Sequence, residues 1–223
     1  MKKLQDIDLF VKINVNESEK LTEKNVEFRT ESRSITSLFV KELGEHKSED
    51  TWRVFISLVK NNEILPLKDM MGVVQVSINF KISDYFKLNR VQKKEKILEL
   101  IMEGIRKAAD FKHWDMQPFL EAERKVKEGD YINQWTWKKK AISPDRKLTA
   151  EVYCEHELGY FDAYMIIRNR EKEVVKKQKL FRTEPHEFAF GYNFGKLKWK
   201  SNQEVELIDK LDKNKWSITI NQS

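Results

Sequence analysis

One short segment of the sequence places a nucleophile and a base close together, at Cys154-Glu155-His156. On a β-strand, residues two apart share a face and lie roughly 6–7 Å apart, which is too far for direct proton transfer. No glycine-rich elbow flanks the segment, and a lone cysteine in a strand is most often a small buried apolar residue. We therefore predict no catalytic residue, and a hydrolase that uses Cys154 and His156 is kept as an alternative.

The residue types that bind metals or nucleotides do not occur at the spacing that such sites require. The histidines at positions 46, 113, 156 and 186 are scattered, and a single cysteine cannot build a thiolate site. Neither GxGxxG nor GxxxxGK[ST] is present. The segment from Gly191 to Gly195 is predicted to be an aromatic hairpin turn whose glycines allow positive φ. The sequence predicts no metal site and no cofactor.

The most distinctive surface feature combines lysines with aromatic residues in two segments, residues 135–140 and 196–200. Lysines neutralise phosphates and aromatic rings stack on bases, so such strands can bind single-stranded nucleic acid. The same alternation is typical of a strand with one buried and one solvated face. The candidate binding residues of these segments and the aromatic turn are Trp135, Trp137, Lys138, Lys139, Lys140, Tyr192, Phe194, Lys198, Trp199 and Lys200.

Strands must position these segments, and the apolar pattern predicts an α+β protein. Alternating apolar positions predict strands over residues 9–15, 35–43, 51–60 and 73–82, and the alternation indicates an antiparallel sheet with one solvated face. The apolar spacing then changes to three and four residues, which predicts two central amphipathic helices. The first covers residues 91–109, and the second runs from an N-cap at Asp115 to a stop at Gly129.

Beyond Gly129, short apolar runs separated by polar turns predict a C-terminal antiparallel β-meander. The predicted strands cover residues 131–142, 148–155, 160–168, 173–180, 188–194, 196–199, 204–208 and 215–220. A boundary near residue 130 gives two parts: residues 1–130, with an antiparallel sheet and two helices, and residues 131–223, the meander. Because no flexible linker joins them, we expect the parts to pack together, and one continuous domain is an alternative.

Composition limits the compartment and the partner. The single cysteine excludes an intramolecular disulfide, and neither a secretory signal nor an apolar run of the roughly 20 residues needed to span a bilayer is evident. We therefore expect a cytoplasmic protein that does not enter a membrane. Of the net charge of +6, five charges fall in residues 131–223, where acidic residues are interleaved with the basic ones. Attraction to polyanions is expected to be weak.

These observations favour a non-catalytic protein-binding module, such as a cytoplasmic inhibitor or an immunity-type protein, whose partner is another protein. The prediction depends mainly on the lack of an assembled catalytic constellation and on the many short hairpins that could display aromatic side chains. Two alternatives remain open: single-stranded nucleic-acid binding through the basic aromatic strands, and a hydrolase whose acids and bases converge only in the fold. The sequence gives no indication of the oligomeric state.

Overall fold

The computed structural model describes residues 3–12, 19–46, 48, 50–60 and 66–220. These residues form both helices and strands, including antiparallel sheets, so the predicted α+β class is confirmed. By its internal contacts the chain divides into two compact units, residues 1–132 (unit 1) and residues 133–223 (unit 2). The division falls close to the predicted boundary near residue 130.

Unit 1 contains both strands and helices. Its elements are β1 (Asp6–Val11), α1 (Glu19–Leu43), β2 (Arg53–Val59), β3 (Lys68–Met70), β4 (Val73–Asn79), α2 (Ile82–Tyr85), α3 (Arg90–Lys112) and α4 (Gln117–Glu128). The strands form a sheet in the order β1-β2-β4-β3. The strand predicted over residues 9–15 overlaps β1, and its last three positions, 13–15, lie outside the described residues.

The first sheet differs from the prediction in strand direction. β2 pairs in parallel with both β1 and β4, and of the described pairs only β3 with β4 is antiparallel. Leu9, Ile56 and Val76 are register partners and are buried, and α3 approaches them so closely that a Cβ at Gly104 would lie 2.4 Å from Cδ1 of Ile56. A sheet covered by helices on this face shows the same alternation whether its strands are parallel or antiparallel. The alternation of apolar and polar residues therefore could not distinguish parallel from antiparallel strand pairing.

The prediction of a strand over residues 35–43 is wrong, because these residues form the end of α1. Ile35 and Phe39 are fully buried and lie four residues apart, as on one face of a helix. The serines and threonines around them are poor helix formers and hid this period. Inside α1, the hydroxyls of Ser32 and Thr36 donate to backbone carbonyl oxygens three residues earlier, which satisfies them within the helix.

Two arginines of α1 connect the helix to β1. Arg33 donates to the carbonyl oxygen of Ile7 and to Asp6 Oδ1, both at 3.0 Å. Arg29 donates to Asp8 Oδ2 at 2.7 Å. These bonds help to hold α1 beside the first two strands, so that β1, α1 and β2 form a parallel βαβ unit.

The two predicted central helices are present as α3 and α4. Asn89 and Gln92 form a reciprocal capping box at the start of α3. Gly129 follows α4 as its C-cap, as predicted. The predicted N-cap at Asp115 is wrong by one residue, since Met116 is the N-cap and Asp115 Oδ1 accepts the N–H of Gln117 at 3.0 Å.

The described part of unit 2 contains two antiparallel sheets and a short helix, so the predicted C-terminal antiparallel meander is confirmed. Its elements are β5 (Gln134–Ile142), β6 (Thr149–His156), β7 (Phe161–Arg168), β8 (Val174–Thr183), α5 (Glu187–Phe190), β9 (Lys196–Trp199), β10 (Glu204–Ile208) and β11 (Lys215–Thr219). The sheet orders are β5-β6-β7-β8 and β11-β10-β9. The two sheets enclose one hydrophobic core, which includes Val152, Met165, Val205 and Leu207.

The strand predicted over residues 188–194 is wrong, because α5 and a 3-10 turn at Gly191–Asn193 occupy this range. The aromatic residues at alternate positions imitate a strand pattern. His186 interrupts it, since its Nδ1 accepts the backbone N–H of Phe188 at 3.2 Å and caps the short helix. As a result Phe190 is buried, whereas Phe188 is 87% exposed.

Candidate binding surface

The structure brings the two predicted basic aromatic segments together within unit 2. β5 and β9 are neighbouring edge strands of the two sheets. Lys139 Nζ donates to the carbonyl oxygen of Gly195 at 2.8 Å, and Trp199 Nε1 donates to the carbonyl oxygen of Ala141 at 3.0 Å. These side-chain donors use carbonyl groups at the sheet edges, which would otherwise be open to pairing with another chain.

The aromatic rings of these segments pack mainly inward. Trp135, Trp137, Phe194 and Trp199 are partly buried against the core of unit 2. The ring of Trp135 lies 5.8 Å from that of Phe161, and the ring of Trp137 lies 5.4 Å from that of Phe194. Tyr192 is half-buried in the 3-10 turn. These rings contribute to folding, and their availability for stacking on bases is correspondingly small.

Most lysines of the two segments are matched by carboxylates or by backbone carbonyls. Lys140 Nζ lies 3.0 Å from Glu151, and Lys198 Nζ lies 3.2 Å from Glu206. Lys200 contacts Glu206 at 3.2 Å as well as its strand neighbour Glu204 at 3.0 Å. Lys139, besides its bond to Gly195, lies over the ring of Trp137. Lys138 is exposed. The role of these residues in binding stays a prediction.

The backbone of the aromatic turn approaches a second loop very closely at Gly195. A Cβ there would lie 2.4 Å from the carbonyl oxygen of Asp209 and 2.6 Å from that of Ile208. The prediction that the turn glycines adopt positive φ is wrong, because Gly191 has φ −63° and Gly195 is not among the residues with positive φ. Gly195 is required by this close approach rather than by its φ angle.

Cys154 and His156 lie on the core side of β6 rather than in a pocket. Cys154 is fully buried, and burial raises the pKa of its thiol to about 12, so the reactive thiolate is not formed at neutral pH. His156 is 1% exposed; its Nε2 donates to the carbonyl oxygen of Pro185 at 2.9 Å, which leaves Nδ1 to accept from Asn133 Nδ2 at 3.4 Å. This pair does not form a catalytic centre.

The face of the β5–β8 sheet that points away from the core carries a polar arrangement that the sequence analysis missed. We call it the outer face. The strand registers place sixteen residues on it: Gln134, Thr136, Lys140 and Ile142 from β5; Thr149, Glu151, Tyr153 and Glu155 from β6; Asp162, Tyr164, Ile166 and Arg168 from β7; and Val174, Lys177, Lys179 and Arg182 from β8. The alternation of charged and tyrosine residues with apolar ones along β6 and β7 was the signal that could have identified it.

Asp162 is the most deeply buried ionisable group of the outer face, at 1% exposure. Arg182 donates to both of its carboxylate oxygens at 2.8 and 2.6 Å, and Lys179 Nζ lies 2.8 Å from Oδ2. The hydrogen bonds from Arg182, opposed by burial and supported by Lys179, lower the pKa of Asp162 to about 2. The carboxylate is therefore charged at every physiological pH.

Glu151 repeats this arrangement two rows away on the outer face. Burial opposes the ionisation of Glu151, but Arg168 Nε at 2.6 Å and Lys140 Nζ at 3.0 Å more than offset that effect, so its pKa is lowered. In both cases the carboxylate lies low on a central strand and the cations reach across it. The side chains of Lys140 and Arg182 remain more than half exposed.

Two tyrosines lie at the centre of the outer face. Tyr153 and Tyr164 are register partners with ring centroids 6.4 Å apart. Lys177 Nζ lies 4.9 Å from the ring centroid of Tyr153 and 4.6 Å from that of Tyr164, within the range of a cation–π interaction. Burial, with the nearby Asp162 and Glu155 carboxylates, raises the pKa of Tyr164 to about 12, so its hydroxyl stays a donor, here to Asp162.

Comparison with known proteins gave no match to any protein family, curated protein or solved structure. Among the described residues, no three His, Cys, Asp or Glu side chains lie where they could hold a metal ion together. No helix within the described ranges is long and apolar enough to cross a membrane.

The buried Asp162 carboxylate predicts a loss of stability in acid. Its pKa is lowered in the folded state, so the stabilisation is present above the unfolded value of 3.8 and is lost as the pH falls towards about 2. A shift of this size corresponds to about 2 kcal/mol of folding stability at neutral pH.

Denaturant unfolding at pH 7 and pH 3 tests this effect. At pH 7, Asp162→Asn should have a free energy of unfolding lower than that of the wild type by at least this amount, and the difference between the two proteins should be smaller at pH 3. Asp212→Asn, at an exposed ion pair, is the control and should show little narrowing. An equal difference at both pH values would contradict the assignment.

The close approach at Gly195 predicts different responses from the two turn glycines. Gly195→Ala should lower the free energy of unfolding by about 1–3 kcal/mol, because the new Cβ meets two backbone carbonyls that cannot rotate away. Gly191→Ala is the matched control, since its φ is helical and nothing lies within 4 Å of a Cβ there. Urea unfolding of both variants checks this, and equal destabilisation by the two substitutions would show that the loops are not in this contact.

Proposed function

We propose that this protein is a non-catalytic binding protein whose partner is another protein, and that the outer face of the β5–β8 sheet binds that partner. The observation that supports the proposal is the distribution of charge on this face. Its five cations are Lys140, Arg168, Lys177, Lys179 and Arg182, and its three carboxylates are Glu151, Glu155 and Asp162. The carboxylate side chains are at most 20% exposed, whereas the cation side chains are 34–58% exposed.

The chemistry of the outer face favours an acidic partner surface. The face has an excess of two positive charges, and its cations are more exposed than its carboxylates, so it presents a positive potential. Complementary charge speeds association and selects the partner. Tyrosine and arginine are enriched among the residues that contribute most to protein interfaces, and Tyr153, Tyr164 and Arg182 provide them here.

One feature of this face disfavours the stacking of nucleic-acid bases. The ammonium group of Lys177 lies over both tyrosine rings and occupies positions on which bases would stack. At the predicted basic aromatic segments, the tryptophans pack inward and most lysines have carboxylate or carbonyl partners. Single-stranded nucleic-acid binding through those segments is the alternative that the experiment below separates from protein binding.

We also propose a cytoplasmic location, as expected for an inhibitor or an immunity-type protein. The free cysteine supports it, because Cys154 is buried without a disulfide partner, as is usual in a reducing compartment. The burial of Cys154 and His156 also removes the main support for the hydrolase alternative.

Reversing one charge on the outer face should strongly weaken binding of the protein partner. We expect Lys177→Glu to lower the recovery of a stoichiometric protein partner, captured from lysate of the source cells at physiological salt, by about tenfold or more. A like-charge contact at an acidic interface costs more than about 1.4 kcal/mol. Lys210→Glu is the matched control, because it changes the net charge equally at an exposed position between β10 and β11. Quantitative mass spectrometry after nuclease treatment measures the recovery.

Two results would contradict the proposal. The first is a nuclease-resistant partner that Lys177→Glu retains as well as Lys210→Glu does, which would place the interface elsewhere. The second is recovery only of nucleic acid and nuclease-sensitive proteins, which would favour the basic aromatic segments. Unfolding curves of both variants exclude loss of the fold as the cause.

A further inference from the structure

β8 is an edge strand of the four-stranded sheet that carries the outer face. Within the described part of the chain it pairs with β7 on one side, and no described strand pairs with its other side. In such a strand the backbone N–H and C=O groups of alternate residues point away from the sheet and can bond a further strand. With ten residues, β8 is long enough to pair with an extended segment of another chain.

The opposite edge of the same sheet is covered by the chain itself. β9 lies beside β5, and Trp199 Nε1 donates to the carbonyl oxygen of Ala141 in β5. β8 also contacts the second sheet, where Lys176 Nζ donates to the carbonyl oxygen of Thr219 in β11 at 2.6 Å. This bond uses a backbone group of β11 and a side chain of β8. It therefore protects the edge of β11 and leaves the backbone of β8 unoccupied.

The first half of β8 is exposed to an unusual degree for a strand. Val174 and Val175 are exposed at 51% and 49%, and Lys177, Gln178 and Lys179 are exposed as well. β-branched residues favour strands, and exposed apolar residues on an edge strand are typical of places where another strand can pair. Natural proteins use such edges to bind extended segments of partners.

The charge of β8 selects the kind of strand that can pair with it. The strand contains four cations, Lys176, Lys177, Lys179 and Arg182, and neither Asp nor Glu. Like charges opposite each other on neighbouring strands are unfavourable, whereas opposite charges are favourable. The cations therefore disfavour pairing with β8 of a second copy of this chain and favour a strand that carries carboxylates.

Two irregularities limit the part of β8 that can pair. The register between β7 and β8 shifts at Val175 and again at Leu180, and between these positions residues 176–179 pair regularly with residues 164–167. A bulge interrupts pairing locally, so residues 176–179 form the regular part of this edge. Lys177 and Lys179 of this part belong to the outer face.

We propose that an extended acidic segment of the protein partner adds to this sheet as a fifth strand beside residues 176–179 of β8, a mode of binding that rests on the outer face being the partner site. Backbone hydrogen bonds hold the segment, and its carboxylates lie beside Lys177 and Lys179. The side chains of these lysines are 46% and 41% exposed, so both are accessible to the carboxylates.

Three synthetic peptides test this mode of binding with the full chain. The first is an eight-residue peptide of alternating glutamate and valine, and the other two are N-methylated at every valine or at every glutamate. Because the N–H groups of alternate residues point to the same side of a strand, each modification blocks one edge and keeps the charge. We expect the first peptide to shift the backbone amide NMR signals of residues 174–183. One N-methylated peptide should bind at least about fivefold more weakly than the other.

Two controls separate strand pairing from charge attraction and from loss of the fold. The same peptide with lysine in place of glutamate should bind at least about tenfold more weakly. In the protein, Lys177→Glu should weaken binding of the glutamate peptide at least about threefold, whereas Lys210→Glu, outside the outer face, should leave it unchanged. Amide NMR spectra of both variants show that the fold is kept.

Three results would overturn the proposal: unchanged amide signals of residues 174–183 at millimolar peptide, equal affinities of the two N-methylated peptides, and equal affinities of the lysine and glutamate peptides. Failure of the proposed function is distinguishable from this failure. If the outer face binds the partner without strand addition, Lys177→Glu still releases the captured partner while the N-methylated peptides bind equally. If the interface lies elsewhere, Lys177→Glu retains the captured partner.

Discussion

The outer face depends on the pairing of its buried carboxylates with cations from neighbouring strands. A charged carboxylate at the depth of Asp162 would be strongly unfavourable alone, and Arg182 and Lys179 compensate it with short hydrogen bonds. The lysine and arginine side chains are longer than those of aspartate and glutamate. The carboxylates are therefore buried close to the sheet, while the cationic groups remain at the surface. Asp162 also accepts the hydroxyl of Tyr164, and Lys177 lies over the ring of that tyrosine and 3.8 Å from Glu155. One set of interactions therefore determines both the stability of this sheet surface and the charge that it presents.

The aromatic residues divide between two roles according to the face of the sheet on which they lie. Trp135, Trp137 and Phe194 contribute to the core of unit 2, whereas Tyr153 and Tyr164 lie on the outer face. The difference follows from chemistry: the indole and phenyl rings bury a large apolar area, and the tyrosine hydroxyls need polar neighbours. The tyrosines are thus better placed than the tryptophans to meet a partner.

Strands and helices whose apolar residues recur at a regular spacing were predictable from the sequence. Elements in which polar residues interrupt that spacing were not. The alternation of β4 and the three-and-four spacing of α3 arise from burial of one face, and burial is what the structure shows. The direction of β1, β2 and β4 could not be read from that alternation, and α1 was hidden by hydroxyl residues that bond to their own helix. Among the surface features, the lysine-rich segments could be recognised because their residues are contiguous in the sequence. The outer face was visible only in part, as the alternation of charged and tyrosine residues with apolar ones along β6 and β7. Its ion pairs were not predictable, because Glu151, Asp162 and Arg182 come from three strands and meet only through the strand register.

The most direct test of the central claim is chemical footprinting of lysines in the free protein and in its complex with the captured partner. Acylation by a water-soluble ester, read by mass spectrometry, reports the exposure of each ammonium group. If the outer face is the interface, Lys177 and Lys179 lose reactivity in the complex, while Lys138 and Lys198 react as in the free protein. Protection of Lys138 and Lys198 with unchanged reactivity at Lys177 would contradict the account and place the interface on the basic aromatic strands.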